Sequence, residues 1–527
     1  MSETFDSSRR AFVLGSAGAV MSAAGPRTPA DAAGAGGAGG ATPGGADAAG
    51  NSADLCKLSA VDAIAHMSQG SLTSEKYAQA LIARCQSAHA LNAFISFEPA
   101  RVLEDARTRD RERRAGLKPG PLFGLPIPVK DSVNTRDYRT TAGTPALRQF
   151  RPKEDAPVVA ALRAAGALVL GKTNLHELSY GWTSNNLAFG AVHNPYDASR
   201  IPGGSSGGTA AAIAASFAPL GIAEDTEGSI RVPAAFCGIA GFRPTTGRYS
   251  TKGCVPISPL FDQVGPHARN VADLVLFDSV AANDWRKLDT QPLRGVRLGV
   301  VRDYWFTDLD SEVERLTQLA LTRLKDADAQ IIETQLPDLA ALIDLTTDAV
   351  QNHDVRIALA RYLKEFGAGV DFDTVVAQAS PDIQAVFRSD VLPGGANFVT
   401  EPKYAAARDQ YLPALRRLYQ EYFARTGVDA MVFPTTLVAA PRIGEETTVP
   451  VGNRALPFEI AVARNIAPGS TAGLPGLVLP VGLTNGGLPV SIELDGPAAG
   501  DRRLLALGLS VEGALGPLPA PRLTNLG

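Results

Sequence analysis

The hydrophobic positions of this chain recur in two periods, which predict helices alternating with short strands. An apolar helical stripe begins after Asp155 and stops at Gly166, so Asp155 is the predicted N-cap and Gly166 the predicted end of that helix. The continuous apolar run 167–170 then predicts a buried strand. A helix followed at once by a buried strand is the repeating unit of an α/β protein.

The alanine-rich stretch 207–218 has no polar face, so we expect a helix that is buried on all sides. The apolar residues 219–223 predict a strand after it. Similar patterns predict a helix at 311–325 and strands at 296–301, 330–333, 430–433, 477–481 and 489–494. Strands alternating with helices indicate a sheet covered on both faces. The sequence therefore predicts the α/β class, with a three-layer α/β/α sandwich around a central mixed β-sheet.

The N-terminus differs from the rest of the chain. Arg9 and Arg10 precede an apolar stretch, 11–24, that is too short and too rich in Gly, Ala and Ser to span a bilayer. We interpret residues 1–32 as a twin-arginine signal peptide, which predicts a periplasmic enzyme with no membrane anchor after cleavage; the alternative is a disordered tail in which two arginines happen to meet. Residues 33–54 then form an Ala/Gly-rich disordered linker, and 55–520 the catalytic domain.

Composition and charge exclude several partners and cofactors. Among 527 residues the formal net charge is −4, and no basic stripe occurs, which argues against nucleic acid and anionic membranes. The four cysteines and six histidines lack the spacing of a zinc site, so we expect no metal or other cofactor. Cysteine pairing stays open. A homodimer is compatible with this size, although no stretch argues for one.

Glycine and serine cluster at 203–208, directly before the buried helix. A linker would lie in polar surroundings, and a phosphate-binding loop would need a Lys-Ser/Thr pair that is missing here. We therefore expect these glycines to let backbone crowd a reacting centre.

Two further segments carry candidate chemistry. Ser229 follows the predicted strand 219–223 after a tight turn, which leaves backbone N–H groups free to hold an oxyanion. Lys130 follows the apolar run 122–129. It is either a surface charge that ends a strand or a buried base of lowered pKa.

Lys130, then Ser205 in the glycine cluster, then Ser229 is an order and spacing that resembles the amidase signature family over about residues 55–515. The resemblance implies that Ser229 is the nucleophile that forms an acyl-enzyme. It also implies that Ser205 is a bridging serine on a cis peptide bond and that Lys130 is the general base. Four backbone N–H groups correspond to the family's oxyanion hole: those of Thr226, Glu227, Gly228 and Ser229. Supporting, orienting roles fall to Ser206, Asp225 and Arg231.

One position departs from the family pattern, because the first of two common glycines before the nucleophile is Glu227. A positive φ there would cost a glutamate about 1 kcal/mol or more. Its carboxylate either lies near the substrate entrance or points into a polar network.

The stretches 241–259 and 487–505 resemble bacterial aryl-amide, indoleacetamide and mandelamide hydrolases. The resemblance implies a small amide with an aryl or other apolar acyl group, hydrolysed to a carboxylic acid plus ammonia or an amine. Pocket residues are expected within 182–186, 346–398 and 465–474. A peptide amidase, aryl acylamidase or carbamate hydrolase would use the same triad. An export signal argues against an amidotransferase subunit, and the intact triad argues against a non-catalytic binding protein.

Overall fold

The computed structural model describes residues 52–288, 290 and 292–523. The predicted signal peptide and residues 33–51 of the predicted linker lie outside the described residues. The linker's last residues, 52–54, belong to a short helix, Ser52–Leu55, which directly precedes the predicted catalytic domain.

Eleven strands of the described chain form one mixed sheet: β1 Phe94–Phe97, β2 Pro126–Lys130, β3 Leu168–Thr173, β4 Leu220–Asp225, β5 Ala240–Arg243, β6 Gln263–Ala268, β7 Arg297–Val300, β8 Gln330–Glu333, β9 Ala430–Pro434, β10 Gly476–Leu483 and β11 Pro489–Asp495. Their order across the sheet is β1-β3-β2-β4-β6-β5-β10-β11-β9-β7-β8. Two separate two-stranded ribbons pair Asn185–Asn186 with Gly190–Ala191 and Thr448–Val451 with Arg454–Pro457.

Strand direction decides where the candidate residues meet. β2 pairs in parallel with both β3 and β4, while β4 pairs antiparallel with β6. The carboxyl ends of β2 and β4 therefore meet at one edge of the sheet, the edge at which α/β proteins commonly place their sites.

Helices cover the sheet as follows: α1 Ser52–Leu55, α2 Ala60–Gln69, α3 Ser74–Ser87, α4 Pro99–Arg114, α5 Pro157–Ala164, α6 Gly207–Ala214, α7 Arg231–Phe236, α8 Val271–Ala281, α9 Arg302–Trp305, α10 Ser311–Asp326, α11 Leu339–Glu365, α12 Phe372–Gln378, α13 Pro381–Val386, α14 Glu401–Ala406, α15 Leu412–Thr426, α16 Phe458–Ala463, α17 Ala467–Ala472 and α18 Asp501–Leu515. Single turns of 3₁₀ helix occupy His89–Leu91, Pro145–Leu147 and Glu177–Ser179, and π-helical turns occupy Phe387–Val391 and Ala407–Tyr411.

Strand β3 shows that both faces of the sheet are buried. Leu168 and Leu170 join an apolar cluster with the alanines of α6, whereas Val169 joins a second cluster with residues of α8 and α18. Successive strand residues point to opposite faces, so the sheet separates two hydrophobic layers. The predicted three-layer α/β/α arrangement with a mixed sheet is confirmed.

The predicted helices and strands are present, with ends that move by a few residues. All eight residues of α6 are buried, as its all-apolar pattern predicts. The predicted N-cap of α5 is wrong: Ala156 caps that helix without a side-chain hydrogen bond. The Asp155 carboxylate instead accepts the N–H of Arg136 at 2.9 Å and pairs with Arg163 at 3.3 Å.

None of the described helices is both long enough and apolar enough to cross a membrane. The four cysteines are buried free thiols. Across residues 52–288, 290 and 292–523, no group of three or more His, Cys, Asp or Glu side chains is arranged to hold a metal ion.

Candidate active site

Lys130 is the last residue of β2, and its side chain is 0% exposed. Its Nζ donates to Ser205 Oγ at 2.6 Å and to Glu224 Oε1 at 2.7 Å. Burial lowers the pKa of the ammonium group, although the Glu224 carboxylate opposes that shift. The surface-charge alternative for Lys130 is therefore wrong, and the fold brings this lysine to a serine 75 positions away.

Ser205 and Ser206 lie immediately before α6, and the peptide bond between Gly204 and Ser205 is cis. The Ser206 N–H donates to the Ser229 carbonyl at 3.3 Å. The Ser206 hydroxyl donates to the Glu224 carbonyl at 3.0 Å. These two bonds tie the glycine cluster to both ends of the loop that carries Ser229.

The glycines of the cluster allow close backbone contact, as predicted. A β-carbon built on Gly204 would lie 2.7 Å from the backbone of Trp182 and Thr183. No side chain fits there, so glycine lets two chain segments meet directly behind Ser205.

Asp225 ends β4 and shapes the loop that follows. Its carboxylate accepts the N–H of Gly228 at 2.7 Å and that of Ile230 at 3.0 Å. Gly228 has a φ of +104°, which suits glycine and strains other residues. Ser229 comes next and is 4% exposed. The Asp225 carboxylate thus fixes the loop by binding backbone N–H groups on both sides of Ser229.

Arginines keep that carboxylate charged. Arg231 Nε donates to Asp225 Oδ2 at 3.1 Å, and Arg243 Nε lies 3.3 Å from Asp225 Oδ1. Burial alone would raise the pKa of Asp225, but the two guanidinium groups lower it below its ordinary value. Arg231 also donates to Glu493 Oε1 at 2.6 Å, which anchors the loop to β11. Three side chains expected near the site from sequence, Ser206, Asp225 and Arg231, therefore hold Ser229 in place.

The family model described as Amidase matches residues 76–505. The chain belongs to the amidase signature family. An indoleacetamide hydrolase from Agrobacterium vitis is 39% identical over 449 residues, covering 85% of this chain and 95% of the relative. A mandelamide hydrolase from Pseudomonas putida is 37% identical over 482 residues, with coverage of 89% and 93%. The solved peptide amidase from Stenotrophomonas maltophilia superposes with a TM-score of 0.73 at 29% identity, covering 89% of this chain and 99% of the other.

This amidase is accordingly a hydrolase of amide C–N bonds. Its Glu227 does not have a positive φ; the only positive φ in the segment 225–231 is at Gly228. Glu227 Oε2 accepts from Gln351 Nε2 at 2.9 Å, and its carbonyl accepts from Trp182 Nε1 at 2.8 Å. The polar-network interpretation thus describes these contacts. Burial raises the pKa of the Glu227 carboxyl group to about 8.

Each stretch expected to line the pocket of the amidase contributes a contact to the segment 227–231, which carries Ser229. Trp182 and Gln351 bind Glu227, and the carbonyl of Ile466 accepts from Arg231 Nη1 at 3.2 Å. The three stretches therefore converge at the edge of the sheet where Ser229 lies.

Two carboxyl groups of this site, those of Asp262 and Glu224, were not predicted from the sequence. Asp262 Oδ1 accepts the Thr226 hydroxyl at 2.6 Å, and burial raises the pKa of Asp262 to about 7. Glu224 contacts Lys130, 94 residues away in sequence. The available signal for Glu224 was an acidic residue directly after the apolar run 219–223, where a buried carboxylate would require a partner.

Proposed function

We propose that this amidase uses a Ser–cis-Ser–Lys triad in which Ser229 is the nucleophile, Ser205 the relay and Lys130 the base. The observation that supports the triad most strongly is the 2.6 Å contact between Lys130 Nζ and Ser205 Oγ in a fully buried setting. A relay hydroxyl within hydrogen-bond reach of the base is one of the two contacts that activation of a nucleophile through a relay needs. The bond from Ser206 to the Ser229 carbonyl holds the two serine segments side by side.

The reaction follows from that order. Ser229 Oγ attacks the amide carbon while its proton passes to Ser205 Oγ, and the Ser205 proton passes to neutral Lys130. The C–N bond then breaks as the leaving nitrogen takes the proton back along the same route. Water repeats the sequence on the acyl-enzyme and releases the carboxylic acid.

Backbone N–H groups of the loop are proposed to bind the oxyanion. The Gly228 N–H already donates to the Asp225 carboxylate, so it is not available as an oxyanion donor. The N–H groups of Thr226, Glu227 and Ser229 are the remaining candidates. Donors fixed before reaction cost no reorganisation when charge develops on the substrate oxygen.

For the substrate we propose a small primary amide with an aryl or other apolar acyl group. Two of the relatives are named for indoleacetamide and mandelamide. Both compounds are primary amides of aryl-substituted acetic acids. Trp182 packs against an apolar cluster that includes Val232 and Ile466. Both of these residues lie beside Gly228, in the loop that carries Ser229. Such surroundings favour an apolar acyl group near Ser229.

The test is ammonia release by the purified protein from benzamide-type, phenylacetamide-type and indoleacetamide substrates, compared with anilides and amidated peptides. Ammonia from the aryl primary amides is the expected result. Aniline release alone, or deamidation of peptides alone, would retain the triad and move the substrate to the aryl acylamidase or peptide amidase alternative.

The triad itself is tested by Ser229→Ala, which we expect to lower kcat by about 10³-fold or more, because no acyl-enzyme can form. A fluorophosphonate probe should label the wild-type protein at Ser229 and leave the variant unlabelled. Retained turnover in a variant with an unchanged circular dichroism spectrum would favour a different nucleophile. Failure of the wild type to react with any probe or amide would favour a binding protein.

We further propose export by the twin-arginine route to the periplasm, based on the pair Arg9 and Arg10. Replacing both with lysine should leave the full-length protein in the cytoplasmic fraction. Export of that variant at the wild-type level would overturn this proposal.

A further inference from the structure

Lys130 has a second partner that the proposed triad does not use. Glu224 Oε1 lies 2.7 Å from Nζ, as close as the serine on the other side, and Glu224 is only 5% exposed. Two opposite charges taken out of water must compensate each other, since solvent cannot. The carboxylate is therefore the counter-charge available to an ammonium at this position.

Glu224 has further hydrogen bonds, two through its backbone and one through its carboxylate. The Glu224 carbonyl accepts the Ser206 hydroxyl at 3.0 Å, and the Glu224 N–H donates back to that oxygen at 3.4 Å. The Ser132 hydroxyl donates to Oε1 at 3.4 Å. Ser206 thus holds the backbone of Glu224, and Ser132 gives the carboxylate a second contact beside Lys130.

Other ionisable groups around this pair have partners or no charge. These groups are Asp225, Asp262, Cys254, Lys172, His176 and His267. Asp225 pairs with Arg231 and Arg243. Lys172 pairs with Asp131. Burial lowers the pKa of both imidazoles to about 4, so they are neutral at neutral pH. Burial raises the pKa of the Cys254 thiol and that of the Asp262 carboxyl group.

We propose that Glu224 is a positioning residue that stabilises the Lys130 ammonium when Lys130 takes the proton from Ser205. The inference rests on the proposed triad. As the bond from Ser229 Oγ to the amide carbon forms, a proton moves from Ser229 to Ser205 and another from Ser205 to Nζ. The site then holds an ammonium next to a carboxylate, and the substrate oxygen carries the negative charge. The acid in a Ser-His-Asp triad serves its histidine in the same way.

The decisive variant is Glu224→Gln, which keeps the size and the hydrogen-bonding capacity but removes the charge. We expect kcat to fall by about 100-fold, the loss typical of one preorganised electrostatic group. We also expect the acidic limb of the kcat/KM profile to move to lower pH. The carboxylate raises the pKa of Lys130, and its removal leaves burial unopposed. A merely structural role would lower activity without moving that limb.

Asp131→Asn is the matched control, because Asp131 forms an ion pair with Lys172, a second buried lysine on the neighbouring strand. Its acidic limb should stay at the wild-type position. If Glu224→Gln does not fold, Glu224→Asp carries the test, since the shorter side chain withdraws the charge from Nζ and should produce a smaller shift in the same direction. An unmoved limb or wild-type kcat in the folded variant overturns the proposal for Glu224. Turnover retained by Ser229→Ala would instead overturn the triad beneath it, so the two failures are distinguishable.

Discussion

Two buried lysines lie on neighbouring parallel strands and have different partners. Lys130 ends β2, and Lys172 lies on β3 beside Val129 in the strand register. Both side chains are 0% exposed and both have a carboxylate near Nζ, at 2.7 Å for Lys130 and 3.1 Å for Lys172. Burial lowers the pKa of both. Burial and an acidic neighbour therefore do not separate a catalytic lysine from a structural one.

The remaining partners do separate them. Lys172 Nζ donates to the carbonyls of Val133 and Arg139 at 2.9 and 3.2 Å and to the Thr140 hydroxyl at 2.9 Å. These contacts use all three N–H donors of an ammonium, and a carbonyl has no proton to exchange. Both lysines thus have a hydroxyl and a carboxylate near Nζ, but Lys172 also donates to two backbone carbonyls. Within the described chain, the hydrogen bonds of Lys130 go only to the Ser205 hydroxyl and the Glu224 carboxylate, both of which exchange protons. The position of Lys130 permits proton transfer, while that of Lys172 ties loop backbone to the sheet.

The largest effect should come from Lys130→Met, which removes the proposed base but keeps an apolar stem. We expect kcat/KM for the best amide to fall by about 10⁴-fold, because no group remains to take the serine proton. Steady-state kinetics on protein of unchanged thermal midpoint gives the measurement. Activity within tenfold of wild type would contradict the distinction between the two lysines.

The opposite result is expected for Lys172→Met. Removing Lys172 leaves Asp131 buried and without its cation, so we expect the free energy of unfolding to fall by about 3–5 kcal/mol. Urea unfolding measures that loss. The molecules that stay folded, counted by active-site titration, should keep kcat within a few-fold of wild type.

The double variant Asp131→Asn/Lys172→Met is the control for the unpaired charge. It should recover part of the lost stability, since it removes the carboxylate that the single variant leaves uncompensated. No recovery would mean that the loss comes from the bonds of Lys172 to the loop carbonyls rather than from the ion pair.

The sequence predicted the strands and the order of candidate residues because both are local or ordered signals. The all-apolar helix before β4 and the turn after it are visible in a few consecutive residues, as in Gly207–Ala214. The carboxylate partner of Lys130 was not predictable in that way, because Glu224 lies 94 positions away and belongs to no motif that the sequence analysis singled out. The Asp155 prediction failed for a different reason: the Arg136 N–H and the guanidinium of Arg163, within the same helix, engage the carboxylate and leave the helix end without it.

The same argument applies to Glu227. The sequence shows that Glu227, two residues before Ser229, departs from the family pattern. It does not show the partner of Glu227, because the hydrogen bond to Gln351 spans 124 positions. Local pattern therefore predicted which loop carries Ser229 and the candidate oxyanion donors. Tertiary contacts, which no window of sequence contains, decide which charges that loop holds.

The smallest predicted effect on stability concerns Glu227, which contrasts with the two lysines. It is a half-buried ionisable group with no cationic partner among the described residues. Burial and the nearby carboxylates of Asp348 and Glu459 raise its pKa from 4.5 to about 8. The folded state therefore binds its proton more tightly than the unfolded chain does. The stability gained from that proton is complete below pH 4.5 and is lost as the pH rises through about 8. Glu227→Gln should remove this dependence.

Urea unfolding from pH 5 to pH 9 makes the comparison, with Glu365→Gln as a control at an exposed position near the end of the same helix that carries Gln351. As the pH rises, wild type should lose stability relative to Glu227→Gln. For the two lysines the sign is opposite: their lowered pKa values mean that the unfolded chain binds more protons, so their contribution rises with pH toward 10.5. Wild-type and Glu227→Gln curves that run parallel would show that Glu227 is ionised in the folded protein. The loop that carries Ser229 would then hold a charge that its contacts with Gln351 and Trp182 leave without a counter-ion.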